Sequence, residues 1–460
     1  MTMHEVVNPF DLSVIGSVPT ADWEMVDEYL DRAQALHRDR SQWKKPHERA
    51  AILHRAMEIM KERRDHLAFQ VANEGGKPLV DARVEVDRAI NGMELCIHEI
   101  GSLKGTEIPM GLTAAGDGRL AWTTREPIGV VVAVSAFNHP LNLIVHQVAP
   151  AVATGCPVIV KPAADTPLSC FEFISILHEA GLPEDWARAV QPPRDVSERM
   201  VSDPRVAFFS FIGSAGVGWS LRSKLAPGTR CALEHGGVAP VIVDATADID
   251  AAVPSLTKGG FYHSGQVCVS VQRVFAHSSI IGDLAAKMTE AAKALTVGNA
   301  VREDVDCGPL IRPKECDRVA AWVDEAREGG AEVLCGGEKL SDTTYAPTLL
   351  LNPPVDATIS RNEVFGPVVC LYSYDDVDAA IAQANSLDVA FQAAVFTNDL
   401  KSALHTYRNI DASAVMVNDH TAFRTDWMPF AGLRTSGHGV GGIPYTCHEM
   451  TIEKMIVFKG

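Results

Sequence analysis

Hydrophobic and polar positions along this chain fall into two textures. Over residues 21–74, apolar positions recur every three or four residues among Ala, Leu, Glu and Arg, which predicts two amphipathic helices; residues 79–101 predict a third. From Arg125 the pattern changes. Residues 128–135 (IGVVVAVS) form a near-continuous β-branched run, suited to a strand buried on both faces. Residues 140–155 read as a helix closed by glycine, 157–161 as a second buried strand, 166–181 as another helix and 206–212 as a third strand. A glycine-rich turn and a helix follow. Strands alternating with helices of this length predict right-handed βαβ units on a parallel sheet. The second half repeats the style, with strands expected at 241–244, after Cys268, and at 333–334, 368–374 and 394–397. The fold class expected is α/β, with two doubly wound parallel-sheet domains meeting near residue 234. Residues 119–125 (RLAWTTR) and 454–459 (KMIVFK) lie at the edges of this pattern and could pair as a protruding sheet.

The bulk properties narrow the function. At 460 residues the chain exceeds what one core usually fills. A net charge of −17 argues against nonspecific binding to nucleic acid or to an anionic membrane. No basic region followed by an apolar run opens the chain, and no stretch is long and apolar enough to span a bilayer. The ten cysteines are scattered, without a Cys-x-x-Cys pair or His and Cys at metal spacing. A cytoplasmic protein without metal is therefore expected.

Five short stretches carry candidate chemistry. Ser135-Ala-Phe137-Asn138-His139-Pro140 lies at a strand's carboxyl end, where ligands bind in open α/β sheets. There Asn138 could donate an N–H to an oxyanion or simply cap the helix after Pro140. Lys161, at the next such end, could reach ribose hydroxyls or phosphate, or lie in solvent. Gly213-Ser214, followed by Val217-Gly218, opens a helix whose N–H groups favour a pyrophosphate, although the G-x-G-x-x-G fingerprint is absent. Glu234-His235-Gly236-Gly237 places a carboxylate at a strand end, either a general base or an exposed turn residue. Finally, Ser264-Gly265-Gln266-Val267-Cys268 sets one thiol on a turn where glycine permits close approach and backbone N–H groups can stabilise a thiolate and an oxyanion.

In identity, order and spacing these stretches resemble the aldehyde dehydrogenase superfamily, from about residue 8 to the C-terminus. Glu363-Val-Phe365-Gly366-Pro367, Gly308-Pro-Leu-Ile311, Ala346-Pro-Thr-Leu349, Ala394-Val-Phe-Thr397 and Pro429-Phe-Ala-Gly432 with Ser436-Gly437 add to the resemblance. It implies a cofactor domain over 1–233, with 119–127 contributing to an oligomerisation extension. A catalytic domain over 234–426 and a return over 427–460 that ends in an oligomerisation strand complete the division. It also implies a reaction. Cys268, as thiolate, attacks an aldehyde; Asn138 and the Cys268 N–H hold the oxyanion; hydride passes to nicotinamide; Glu234 activates the water that releases the acid. Glu234 favours this hydrolytic branch over coenzyme-A acylation. Lys161 would hold the adenosine ribose, Gly213 and Ser214 the pyrophosphate, and Glu363 the nicotinamide ribose. Ser135, Phe137, Ala163, Ala164, Val217 and Phe365 complete the implied cofactor set.

The cofactor implied is NAD or NADP. Ala164 stands where NAD-preferring members often have glutamate, three residues after the lysine, while Asp165 next to it could partly restore the charge; the balance leans slightly to NADP with dual use. His139, Val267, Val269 and the His420–Trp427 loop occupy positions that line the substrate entrance in relatives. Val267, where phosphorylated-aldehyde members carry arginine, counts against a phosphorylated substrate. Arg424 could bind a carboxylate, sulfonate or hydroxyl-bearing tail, or pair with Asp426 as a loop clamp. The overall flavour is that of the lactaldehyde and semialdehyde branch, acting on a small aldehyde as a homodimer or homotetramer. Three departures stand out: the shortened loop Val190-Gln191-Pro192-Pro193-Arg194, which could weaken cofactor binding, Val389-Ala-Phe-Gln392, and Val440-Gly441 in place of Arg-Glu near the expected subunit contacts. An inactive structural member, or a thiol esterase working without cofactor, are the alternatives.

Overall fold

A computed structural model describes residues 2–460. The apolar runs become the strands of two sheets. The first has six strands in the order Gly437–His438, Arg230–Glu234, Val206–Ile212, Val130–Val134, Val158–Lys161, Ala187–Ala189, all parallel except the two-residue edge. Val130, Val131, Val132 and Ala133 are buried because helices cover both faces, which is why the sequence there lacks polar alternation. The chain winds outward in both directions from Val130–Val134, so Ser135 and Gly213 leave neighbouring strands at the topological switch point.

The second sheet has seven strands in the order Glu332–Cys335, Thr348–Leu351, Val368–Tyr374, Arg273–His277, Pro240–Val243, Gln392–Phe396, Ala414–Val417. Only Glu332–Cys335 runs antiparallel. The third sheet pairs Thr451–Lys459 with Arg119–Pro127 along their length, and Glu107–Ile108 adds a short third strand. The two edge segments that the sequence suggested would pair do so.

Several elements differ from the sequence reading. Residues 21–74 hold three helices, Trp23–Arg38, Pro46–Glu62 and Arg64–Gly75, because Arg63 (φ −99°, ψ 14°) breaks one periodic stripe into two. The hairpin of Met3–Val7 with Val14–Pro19 and the strands Thr348–Leu351 and Ala414–Val417 were not anticipated from the pattern. The strand after Cys268 starts only at Arg273. Arg230–Glu234 is not fully buried: only Leu233 is, since the short Gly437–His438 edge covers it on that side. Among the described residues no helix is long and apolar enough to cross a membrane, and no group of three or more His, Cys, Asp or Glu could hold a metal.

Candidate active site

Cys268 owes its position to a run of left-handed backbone. Helix Ile249–Phe261 ends, and His263, Ser264 and Gly265 follow with φ of 47°, 54° and 69°. Such conformations cost free energy at residues other than glycine and cluster at functional sites. Only glycine fits at 265, where a Cβ would lie 2.1 Å from the Gly366 carbonyl oxygen. Ser264 Oγ donates to Gly308 O at 2.7 Å; the Gln266 amide donates to Pro309 O at 3.2 Å and accepts from Ile311 N–H at 3.0 Å. Gln266 is therefore the clasp that binds the turn to the Gly308–Ile311 loop, a structural role for the amide. Asn138 is buried and donates through Nδ2 to Gln266 O at 2.9 Å, which ties the switch-point loop to the nucleophile turn and leaves its second N–H free.

A cavity of about 600 Å³ lies between the two large sheets. Cys268, Glu234 and Asn138 all line it. So do Ser135, Phe137, Ala163, Gly213, Ser214, Val217, Glu363 and Phe365 from the implied cofactor set, and His139, Val267, Val269 and Arg424 from the implied substrate set. Lys161, Ala164 and His420 do not. Lys161 donates to Pro162 O at 3.0 Å, folded onto its own loop. The Ala164 carbonyl is bonded to His4 Nε2 at 2.7 Å, facing the N-terminal hairpin. His420 packs behind the helix that precedes the turn, where a Cβ on Gly259 would come 2.6 Å from its Cβ. The sequence could not show which side of these loops faces inward.

The electrostatics of the cavity act on the thiol and on both carboxylates. Burial pushes the Cys268 thiol well above its ordinary range, and the charges of Glu234 and Glu363 push it further, against a smaller opposing pull from Arg424. The backbone N–H of Cys268 opposes that rise more weakly than burial drives it. Burial likewise raises Glu234, whose carboxylate has no hydrogen-bond partner among the described residues, and raises Glu363 to about 8. A Cβ on Gly236 would fall 1.9 Å from Glu363 Oε1, so this glycine is the space the carboxylate occupies. Glu363 Oε1 and Ser135 Oγ are buried without partners among the described residues. Those orphaned groups, with the bare Gly213 turn at the start of helix Ala215–Arg222, suit a dinucleotide with hydroxyl and phosphate groups.

Arg424 does not clamp Asp426. That carboxylate is held by Arg88, at 2.6 Å and 3.1 Å, and by His146 at 2.8 Å, and these partners keep it well below the usual carboxylate range. Arg424 instead stacks over Phe430, 3.5 Å from the ring centre, and its buried Nε has no partner among the described residues. Gly441, expected near the subunit contacts, also lies beside the candidate base: a Cβ there would be 3.4 Å from Glu234 Oε2. Tyr262, just before the nucleophile turn, lines the cavity as well, and Arg88, Arg312, Arg318 and Trp322 do so unannounced by any motif. Arg88 and Arg318 lie in ordinary amphipathic helices whose periodicity gives no sign of a cavity.

A sequence profile of the aldehyde dehydrogenase family matches residues 1–456. The 3-sulfolactaldehyde dehydrogenase of Priestia aryabhattai is 37% identical over 457 residues, covering 99% of this chain and 94% of its own. Among solved structures, aldehyde dehydrogenase 21 from Physcomitrella patens in complex with the reaction product succinate superimposes with a TM-score of 0.96 at 32% identity, covering 100% of this chain and 95% of that one. Glyceraldehyde-3-phosphate dehydrogenase from Methanocaldococcus jannaschii complexed with NADP gives 0.94 at 33% identity, covering 99% of each chain.

Proposed function

The chain belongs to the aldehyde dehydrogenase family, and on that premise we propose that it oxidises a small aldehyde with an anionic tail to the corresponding carboxylic acid. Cys268 is the attacking sulfur, acting as thiolate once its proton has passed to solvent in the cavity. The free N–H of the Asn138 amide and the backbone N–H of Cys268 hold the oxygen of the adduct, a kind of stabilisation whose loss costs about 10²–10³ in rate. A bound nicotinamide dinucleotide supplies the hydride acceptor. Glu234 then takes the proton of the water that opens the thioester on Cys268. Its raised pKa makes it a stronger base near neutrality than an ordinary carboxylate. Glu363 and Ser135 orient the dinucleotide through their unpartnered oxygens.

Arg424 carries the choice of substrate class: its guanidinium lines the cavity that holds Cys268 and Glu234, feels the Glu234 charge without a hydrogen-bonded partner among the described residues, and can receive an anionic tail. The sulfonated aldehyde named for the Priestia relative and the succinate bound to the moss enzyme have that chemistry. We assign NADP a slight preference over NAD. The test is a steady-state panel of sulfonated, carboxylated and neutral short aldehydes with both cofactors. Arg424→Ala should raise KM for the anionic aldehydes about 10- to 100-fold and leave neutral ones within a few-fold. Equal losses for both would refute the anionic class. Failure to reduce either cofactor with any aldehyde, while Cys268 still alkylates, would leave only the inactive or esterase readings.

The assembly is proposed to be a homodimer or homotetramer formed through the third sheet, whose Leu120, Trp122, Met455, Ile456, Val457 and Phe458 are exposed. Ten unpaired cysteines accord with a reducing compartment, the cytoplasm.

A further inference from the structure

One ion pair joins loops from the two large sheets within the cavity wall. Asp165 follows strand Val158–Lys161, and Arg312 precedes helix Pro313–Glu328; both line the cavity. Arg312 Nε donates to Asp165 Oδ1 at 2.7 Å, and its second nitrogen binds the other oxygen. The side chains keep 41% and 23% exposure, so the pair meets solvent and can open without disturbing a core.

Arg312 breaks a local rule. It is the N-cap of helix Pro313–Glu328 and makes no capping bond with its side chain. Ser, Thr, Asp and Asn are favoured there, and a cation at the positive end of a helix is disfavoured. A half-exposed ion pair offsets little of that cost. Local violations of this kind concentrate at functional sites. Asp165, weighed from sequence as an acid that would repel a 2′-phosphate, does not stand as a free charge once Arg312 holds it.

We propose that Arg312 is a phosphate-binding residue of the dinucleotide site, kept oriented by Asp165 and exchanging that carboxylate for a phosphate of the cofactor. The inference rests on the dinucleotide reading above. A guanidinium grips carboxylate and phosphate with the same two-pronged geometry, so the exchange needs no new orientation of the fork. The phosphate is either the diphosphate common to both cofactors or the 2′-phosphate of NADP.

Equilibrium titrations with NAD and NADP, followed by the tryptophan fluorescence of the chain, which includes Trp322 in the same wall, distinguish these sources without any turnover. Arg312→Ala should weaken binding about 10- to 100-fold. A loss confined to NADP assigns the 2′-phosphate; equal losses assign the diphosphate. Asp165→Asn, which frees the guanidinium, should bind as tightly as the parent protein or more so. Arg312→Gln, nearer in bulk, gives the same readout if the alanine variant folds poorly. Affinities of both Arg312 variants within about threefold of the parent would overturn the proposal. So would an Asp165→Asn loss as large as that of Arg312→Ala, since the pair would then be a static strut. If the parent protein binds neither dinucleotide, the cofactor reading fails and takes this proposal with it.

Discussion

At the residue scale, the site is governed by charges that burial makes costly. Burial, Glu234 and Glu363 all disfavour the Cys268 thiolate, so alkylation by iodoacetamide should stay slow at neutral pH and accelerate only above the ordinary thiol range. Glu234→Gln removes a raising charge, and the alkylation midpoint should move to lower pH. Slower alkylation at every pH would show instead that Glu234 deprotonates the sulfur. The same variant should allow one round of cofactor reduction and then stall. Glu363 makes a second prediction. Its folded pKa of about 8 lies above the unfolded carboxylate value, so the folded state binds the extra proton between those limits. Its stabilising contribution is complete below the unfolded pKa and is lost as pH rises toward 8, at up to about 1.4 kcal/mol per unit. Thermal midpoints of the parent should therefore fall relative to Glu363→Gln between about pH 5 and 8. A constant gap would show that Glu363 is ionised throughout.

At the element scale, helix termini set the positions of the loops. The buried Glu85, on helix Leu79–Ser102, accepts from Leu141 N–H at 3.0 Å and Asn142 N–H at 3.1 Å, at the start of helix Asn142–Thr154, and pairs with the buried Lys77. It thus fixes the helix whose entry loop carries Asn138. Glu85→Ala leaves Lys77 without its partner and the helix end uncapped, and should destabilise by about 3–5 kcal/mol, read from urea midpoints. Lys77→Met with Glu85→Leu should recover much of that loss, because no lone charge then remains. Loss below about 1 kcal/mol would mean that water reaches the pair. These long-range caps were invisible in sequence: Glu85 lies 56 residues from Leu141, and its own helix reads as an ordinary amphipath. The buried strands, by contrast, were legible, because covering both faces requires an unbroken apolar run.

At the scale of the whole molecule, two sheets meet at one cavity while a third sheet stands apart with apolar residues in solvent. Met455→Glu with Val457→Glu, on one face of strand Thr451–Lys459, should convert the assembly to monomers by light scattering without unfolding the large sheets. An unchanged mass would remove this sheet from the interface. By itself the sequence determined the α/β class, the family, and the residues Cys268, Glu234 and Asn138 as candidates, since each is marked by a local pattern: a glycine beside a nucleophile, or a polar group at the end of an apolar run. Only the tertiary structure decided which of the surrounding residues share the cavity. It left Lys161 and His420 out of the cavity lining, gave Asp426 to Arg88 and His146, left Arg424 without a hydrogen-bonded partner among the described residues and put Arg312 against Asp165. Local patterns report what each segment does with its own backbone and faces. Charge pairing depends on distances between segments far apart in the chain, and those exist only after the sheets have packed.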